Sequence, residues 1–427
     1  MDRRFGWGTA PLLSLLCALG CGSKPPGGPT TVTVSGSVLG AEGQIVRRQL
    51  ERFDRENPDI RVEMRPTPDA ADLRHQLYVQ WLNARATDPD ILQVDAIWTP
   101  EFAAAGWILP LDRFAPDTAA FFPVTIEANR WQGSLFALPW FVDVGMLYWR
   151  TDLFRRAPET WDELEREARL AIADGSPRYG LVWQGARYEG LVTVFLEYLG
   201  GFGGRILDRG RVTVHERPSV LALTTMRDEI HRKGVVPTRV LTWHEEEPRF
   251  AFQNGEAALM RNWPYAVTPM QDSAQSRVAG RFAVAPMPAA PGGRHTAAFG
   301  GAQLAINAFS PEAEAAWLVI DYLTRPEQML ERARIVGQFP TRTAVYDDPA
   351  LAEALAIPPA QARQIVEAAV PRPVTPVYTQ LSEILQIQLH RALSRQAEPG
   401  PALARAASEM QALLDRVGLG RGGVALR

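Results

Sequence analysis

Six histidines could serve as general bases or metal ligands: His75, His215, His231, His244, His295 and His390. None is paired at metal-ligand spacing. His244-Glu245 opens like the H-E-x-x-H motif of zinc hydrolases, but Pro248 stands where the second histidine must be. Both cysteines, Cys17 and Cys21, fall within the first 21 residues. The body of the chain therefore offers no thiol nucleophile, thiolate zinc site or disulfide framework. It also lacks a G-x-S-x-G elbow, a G-x-x-x-x-G-K-[ST] loop and a G-x-G-x-x-G turn after a strand. Paired glycosidase carboxylates are defined by separation in space, so a secreted carbohydrate-active enzyme stays open on this evidence. No metal and no cofactor is indicated.

Four stretches, read as loops, instead set aromatics beside acids, arginines and small residues: Leu138–Gly145 (LPWFVDVG), Arg261–Tyr265 (RNWPY), Ala298–Gly301 (AFGG) and Val370–Pro373 (VPRP). A neutral sugar explains the mixture. A pyranose has an apolar C–H face that packs on a flat ring and an edge of hydroxyls that donate and accept. Trp and Tyr supply rings with few rotamers to freeze, carboxylates accept hydroxyl donors, and arginine donates in a fixed fork. Charge-assisted hydrogen bonds of this kind contribute about 1.5–3 kcal/mol where water is excluded. A site built this way rejects ligands that lack the hydroxyls, because its own polar atoms would be left bare.

Elements must hold these stretches in place. Thr30–Val38 alternates Thr and Val and reads as a strand, Gly40–Asn57 as a helix with Val46, Leu50 and Phe53 on one face, and Ile60–Arg65 as a strand. Ala70–Ala86 follows as a helix and Ile91–Ile97 as a strand. This β-α-β-α-β rhythm predicts a parallel sheet covered by helices on both faces. Thr160-Trp-Asp-Glu163 is a capping box, with a helix to about Ala173. Arg178–Trp183 reads as a strand, Glu189–Leu199 and Val220–Lys233 as helices, and Phe282–Ala285 and Gln303–Ile306 as strands around a Pro/Gly-rich loop. The remainder is helical over 311–322, 326–335, 359–370, 381–393 and 402–417. Open α/β sheets bind ligands at the carboxyl ends of their strands, and two such edges facing each other make a cleft.

The 427 residues suit a bilobal unit. A net charge of −3 argues against a nucleic-acid surface, which needs a clustered basic stripe. Arg3 and Arg4 followed by the apolar stretch Ala10–Leu19 describe a secretory signal too short to span a bilayer. Residues 1–20 are thus expected to be a signal peptide. Ala18-Leu-Gly-Cys21 is similar to a bacterial lipobox, in which Cys21 is acylated; a plain signal peptide with an incidental cysteine is the other reading. Residues 21–29 then form a lipidated, unstructured tether.

The stretches Leu138–Arg150 (LPWFVDVGMLYWR), Val182–Tyr198 (VWQGARYEGLVTVFLEY), Met260–Ala266 (MRNWPYA) and Val370–Leu385 (VPRPVTPVYTQLSEIL) resemble trehalose/maltose-binding lipoproteins of ABC importers, in the extracellular solute-binding family 1. The resemblance runs from about Val32 to the C-terminal helix. It implies an α/β fold of the type II periplasmic-binding-protein kind: two α/β lobes, three hinge crossovers and a helical C-terminus. Lobe 1 would comprise 30–142 with 300–343, lobe 2 146–296 with 348–417, and 418–427 a frayed tail. The crossovers would fall near Phe141–Gly145, Ala297–Gly300 and Pro340–Val345.

The resemblance also implies a monomeric, non-enzymatic binding protein, lipid-anchored outside the cytoplasm. It would take a neutral disaccharide such as trehalose or maltose, or a short oligosaccharide, and deliver it to a membrane permease. A glycerophosphodiester in the same clamp is an alternative ligand. Carried over residue by residue, Glu42 and Asp95 would accept sugar hydroxyls, Arg74 and Arg372 donate, and Phe141 and Asp143 stand in the first crossover. Trp263 would be the stacking platform, and Gly300-Gly301 the close backbone approach. Each has a plainer role: Glu42 a helix-dipole charge, Arg74 a solvated helix arginine, Phe141 core filler, Tyr188 and Glu189 lobe packing. Ala302-Gln303 follow the glycines where some relatives carry Trp, so that platform for a second sugar ring is missing here.

Overall fold

The computed structural model describes residues 28–36, 40–68, 71–355 and 357–420. The expected signal peptide, Cys21, most of the tether and the last seven residues lie outside them.

Among the described residues, ten strands build the two larger sheets. In the first, β1 (Thr30–Gly36), β2 (Ile60–Pro66) and β3 (Ile91–Asp95) run parallel, β1 lying between the other two. Next in chain order come β4 (Leu138–Val144) and β5 (Met146–Arg150), with Gly145 alone between them. β6 (Tyr179–Val182), β7 (Ala257–Asn262) and β8 (Phe282–Ala285) join β5 in a second sheet ordered β8-β5-β7-β6. The long β9 (Ala297–Ile306) then returns to the first sheet. It pairs antiparallel with β3 on one side and β4 on the other, and its first residues pair parallel with β10 (Ala369–Val370).

β1–β3 are parallel as expected, and β6 also runs parallel to β7, but both sheets are mixed, since β9 runs antiparallel to β3 and β4, and β5 antiparallel to β7 and β8. The cause is the path of the chain. At Gly145 it leaves one sheet for the other, and after β8 it comes back across β3 from the opposite direction.

The stretches 138–145 and 298–301, read above as loops, are strands β4 and part of β9. Their signal was hidden because both faces are covered. Leu138, Trp140, Val142 and Val144 are at most 2% exposed and Phe141 is 6% exposed, so no polar alternation marks a strand.

Helix ends follow local chemistry. Thr160 Oγ1 accepts from the Glu163 amide at 3.2 Å, as the capping box requires, while Glu163 reaches back one residue further than expected, to the Glu159 amide. The helices Arg217–His231 and Pro399–Arg416 start three residues earlier than periodicity suggests, each with proline in its first turn, where a missing N–H costs nothing. The helix Pro359–Glu367 stops three residues early because its exit, Ala369–Val370, pairs with β9 ahead of Pro371.

Among the described residues four apolar cores follow from this arrangement; one, with Tyr78, Leu92, Val94, Trp98 and Phe102, covers the second face of the first sheet, and the other three bear on the site. Val32, Val34, Leu50, Phe53, Leu304 and Ile320 fill the first unit. Leu181, Phe195, Leu199, Leu223, Leu385 and Met410 fill the second, to which the C-terminal helices Tyr378–Leu393 and Pro399–Arg416 belong. Between them lies a third cluster containing Val142, Val144, Met146, Phe299, Phe339 and Val345, which joins the three expected crossover segments. The Val142 amide donates to Phe339 O at 2.9 Å and the Gly145 amide to Ala298 O at 3.4 Å.

Candidate functional site

The site is organised by the middle of β9. Ala302 is registered opposite Asp95 of β3 on one side and Phe141 of β4 on the other; two residues back, Gly300 is opposite Asp143. Paired residues share a face and residues two apart share a face, so Asp95, Phe141 and Asp143 project together around two nearly bare positions. Gly301, on the opposite side of the pleat, sits at φ +103°, and a Cβ there would lie 2.2 Å from Phe141 O. Only glycine permits that close approach.

Arg372, 7% exposed, arches over this patch. Its Nη2 donates to Asp95 Oδ1 at 2.8 Å and its Nη1 to Glu189 Oε1 at 3.1 Å. It would lie 3.9 Å from a Cβ at Gly300. Glu189 opens the helix Glu189–Gly201 of the second unit and also accepts from Tyr378 Oη at 2.6 Å and from Ser382 Oγ. One guanidinium thus ties the first sheet to the second unit. Burial alone would lower the Arg372 pKa, but Asp95 and Glu189 more than offset this and raise it. Burial raises the Glu189 carboxyl, opposed by Arg372 and the two hydroxyl donors.

On the other flank, Glu42 Oε1 accepts from Arg332 Nη2 at 3.4 Å. Arg332 comes from the helix Pro326–Val336 and is 1% exposed, its guanidinium 4.0 Å from the Trp140 ring and 5.1 Å from the Phe141 ring. Asp143 keeps part of its surface open but lies deep in the molecule. Burial first, then the charges of Glu42 and Asp95, push its carboxyl up to about 7, against the opposing pull of Arg332 and Arg261.

Trp263 is half-buried at the mouth of the second sheet. Its carbonyl accepts from Tyr148 Oη at 2.6 Å, and the Arg261 guanidinium sits 3.8 Å from its ring. Arg261 is itself locked to Glu197, both side chains fully buried.

Of the expected residues, then, Glu42, Asp95, Phe141, Asp143, Gly300, Gly301 and Arg372 converge on one patch, and Trp263 is tied to it through Arg261. Phe141 packs against Trp140 with the rings tilted by 53° and lends its face to Arg332. Arg74 is more remote. It donates to Pro68 O at 3.4 Å and lies 5.7 Å from the Trp98 ring, in the turn that follows Asp95.

Arg332 and the Arg261–Glu197 pair were missed. Their signal was a charge on an apolar stripe: Arg332 between Met329 and Ala333, and Glu197 in the run Leu191–Leu199. Among the described residues, no cluster of His, Cys, Asp and Glu could hold a metal ion.

Two mixed-sheet units, crossing strands between them and a polar patch at their junction define a type II periplasmic binding protein. A profile of the family described as bacterial extracellular solute-binding protein matches residues 37–330, and the chain belongs to that family. Its members bind solutes without transforming them and work outside the cytoplasm.

A probable ABC transporter-binding protein of Deinococcus radiodurans is 35% identical over 356 residues, covering 80% of this chain and 84% of the relative. Among solved structures, maltose-bound MalE3 of T. maritima has a TM-score of 0.82 and 43% identity, covering 90% of this chain and all of that one. The GacH receptor of Streptomyces glaucescens, described unliganded and with acarbose, has a TM-score of 0.78 and 25% identity, covering 91% of this chain and 99% of that one.

Proposed function

We propose that this chain is the capture component of an ABC sugar importer, closing around a neutral α-linked disaccharide such as maltose or trehalose and passing it to a membrane permease. The observation that carries this reading is the row of acceptors Asp95 and Asp143 flanking Gly300 and Ala302 beneath Arg372. It provides acceptors and one forked donor for hydroxyls, with bare backbone between them. Trp263 supplies the flat face for the pyranose.

Charge favours a neutral ligand over a glycerophosphodiester. Arg372 is already held by Asp95 and Glu189, and Arg332 by Glu42, so the acids Glu42, Asp95, Asp143 and Glu189 outnumber the cations around the patch. A phosphate would meet repulsion there. The likeness to maltose-bound MalE3 supports an α-glucoside.

Lobe 1 is assigned to 30–142 with 300–343 and lobe 2 to 146–296 with 348–417. Ligand bonds reaching both lobes favour the closed form, so differential affinity drives closure. Acylated Cys21 and the following tether hold the domain at the membrane beside its permease.

The test is a thermal-shift panel of neutral sugars on the protein lacking residues 1–21. A ligand that binds only the folded form raises the melting temperature. Maltose or trehalose is expected to raise it by several degrees and to be recovered intact; Trp263→Ala or Asp95→Ala abolishes the shift in a folded protein. Glucose release would turn the reading to an enzyme, and a shift with glycerophosphodiesters alone would replace the sugar.

A further inference from the structure

We infer that Arg332 is a positioning residue of the sugar site: a caged cation that holds Glu42 at the cleft and, lying under Asp143, couples sugar capture to pH. The inference rests on the sugar reading above.

The cage is built from three sides. Trp140 and Phe141 on β4 present their rings to the guanidinium at 4.0 and 5.1 Å, and Gln338 accepts from Nη2. Glu42 on the helix Gly40–Glu56 takes the same nitrogen at 3.4 Å. The remaining donors, Nε and Nη1, are buried without a protein partner. An arginine at 1% exposure with two donors unused is costly to keep unless its field does something. A structural arginine would be saturated by acceptors; this one faces an excess of negative charge.

Asp143 is faced by Glu42 from the first helix, Asp95 from β3, Arg332 from the helix Pro326–Val336, Arg261 from β7 and Tyr148 from β5, with Arg372, already held by Asp95 and Glu189, over Gly300 opposite it. Glu42 and Asp95 discourage its ionisation; Arg332 and Arg261 favour it, Arg332 the more strongly. Its midpoint of about 7 is therefore a balance in which Arg332 is the larger favourable charge. Arg332 is itself lowered by burial to about 10, with Glu42 and Asp143 opposing the drop, and so stays charged at neutral pH. Hydroxyl donors favour the ionised carboxylate, so sugar affinity falls as pH drops through this midpoint, and binding near neutrality releases protons.

The experiment follows Asp143 and the ligand separately. Carboxyl carbon NMR, with the Asp143 resonance assigned by its loss in Asp143→Asn, gives the titration midpoint without ligand in the wild type, Arg332→Gln and Arg332→Lys. Maltose calorimetry from pH 5.5 to 8.5 gives the affinity profile of the same proteins, and circular dichroism verifies folding. Arg332→Gln is expected to raise the Asp143 midpoint by one pH unit or more, to weaken maltose binding at pH 7.5 at least tenfold, and to move the affinity profile upward by the same interval. Arg332→Lys restores most of the midpoint, and Asp143→Asn flattens the profile.

An unmoved Asp143 midpoint in folded Arg332→Gln overturns the inference, as does uniformly weaker binding with an unmoved profile. Should the wild type bind no neutral sugar at any pH, the sugar reading fails and with it the role in capture, while the NMR series still decides the charge coupling by itself.

Discussion

Arg261 and Arg332 are both buried guanidiniums beside a carboxylate, one in each unit, and their surroundings differ in a way that separates support from recognition. Arg261 is saturated: its Nε and Nη2 donate to the two oxygens of Glu197, and its Nη1 to Gln184 Oε1 at 3.3 Å. Glu197 also accepts from the Ala298 amide at 3.2 Å, and a Cβ on Gly145 would fall 1.7 Å from its Oε1. The pair thus packs directly under the strand exit at Gly145 and the start of β9, with no room for solvent. Arg332 faces a partly exposed carboxylate and a half-buried one and keeps two donors in reserve. A closed polar network specifies a shape; an open one beside a cleft is poised to accept further partners.

Breaking the saturated pair should have the largest effect. Glu197→Ala leaves Arg261 charged, buried and unpaired, and is expected to cost about 3–5 kcal/mol in equilibrium denaturation. A loss below about 1 kcal/mol would remove the contrast between the two arginines.

Glu229 sharpens the contrast as an acid whose one bond is from Tyr198 Oη at 2.7 Å, its other oxygen bare. Burial pushes it up to about 8. The folded state then holds a proton that the unfolded state has released, so stability is greatest below about pH 4.5 from this group and declines until pH passes 8. Glu229→Gln should remove a slope amounting to about 3–5 kcal/mol across that window, measured as denaturation midpoints against pH.

At the open site the order of effects reverses. Glu42→Gln is expected to weaken maltose binding about tenfold, or ~1.4 kcal/mol, while shifting stability by less than ~1 kcal/mol, because its 3.4 Å contact with Arg332 is long and the Gln carbonyl can still accept it. An equal loss of stability and affinity would place Glu42 with the structural acids. The smallest effect belongs to Arg113–Glu314, a pair 51% and 74% exposed, whose removal should alter stability by no more than about 0.5 kcal/mol.

Much of the fold was legible because helices with one apolar face and strands that alternate announce themselves. The 3.6-residue repeat of Val46, Leu50 and Phe53 gave the helix Gly40–Glu56 to within a residue, and the Thr30 strand was found by its alternation. What stayed hidden were β4, β5, β7 and the front of β9, where both faces are buried and no periodicity survives. For the same reason Ala298–Gly301 read as a loop, its glycines signalling a turn when they serve a close strand contact. At the site, acids and aromatics bunched in sequence could be picked out, whereas Arg332 and Glu197 looked like ordinary helix charges.

By itself the sequence determined the inventory: a body without cysteine, the two-unit rhythm, and which rings and carboxylates were on offer. Composition and local periodicity are sufficient for that, since they act within a turn or a strand. Only the tertiary structure decided that Asp95, Asp143 and Gly300 share one face, that Arg372 spans both units, and that Arg332 lies under the acids. Strand register and the packing of distant helices set those distances, and both depend on contacts between residues more than two hundred positions apart.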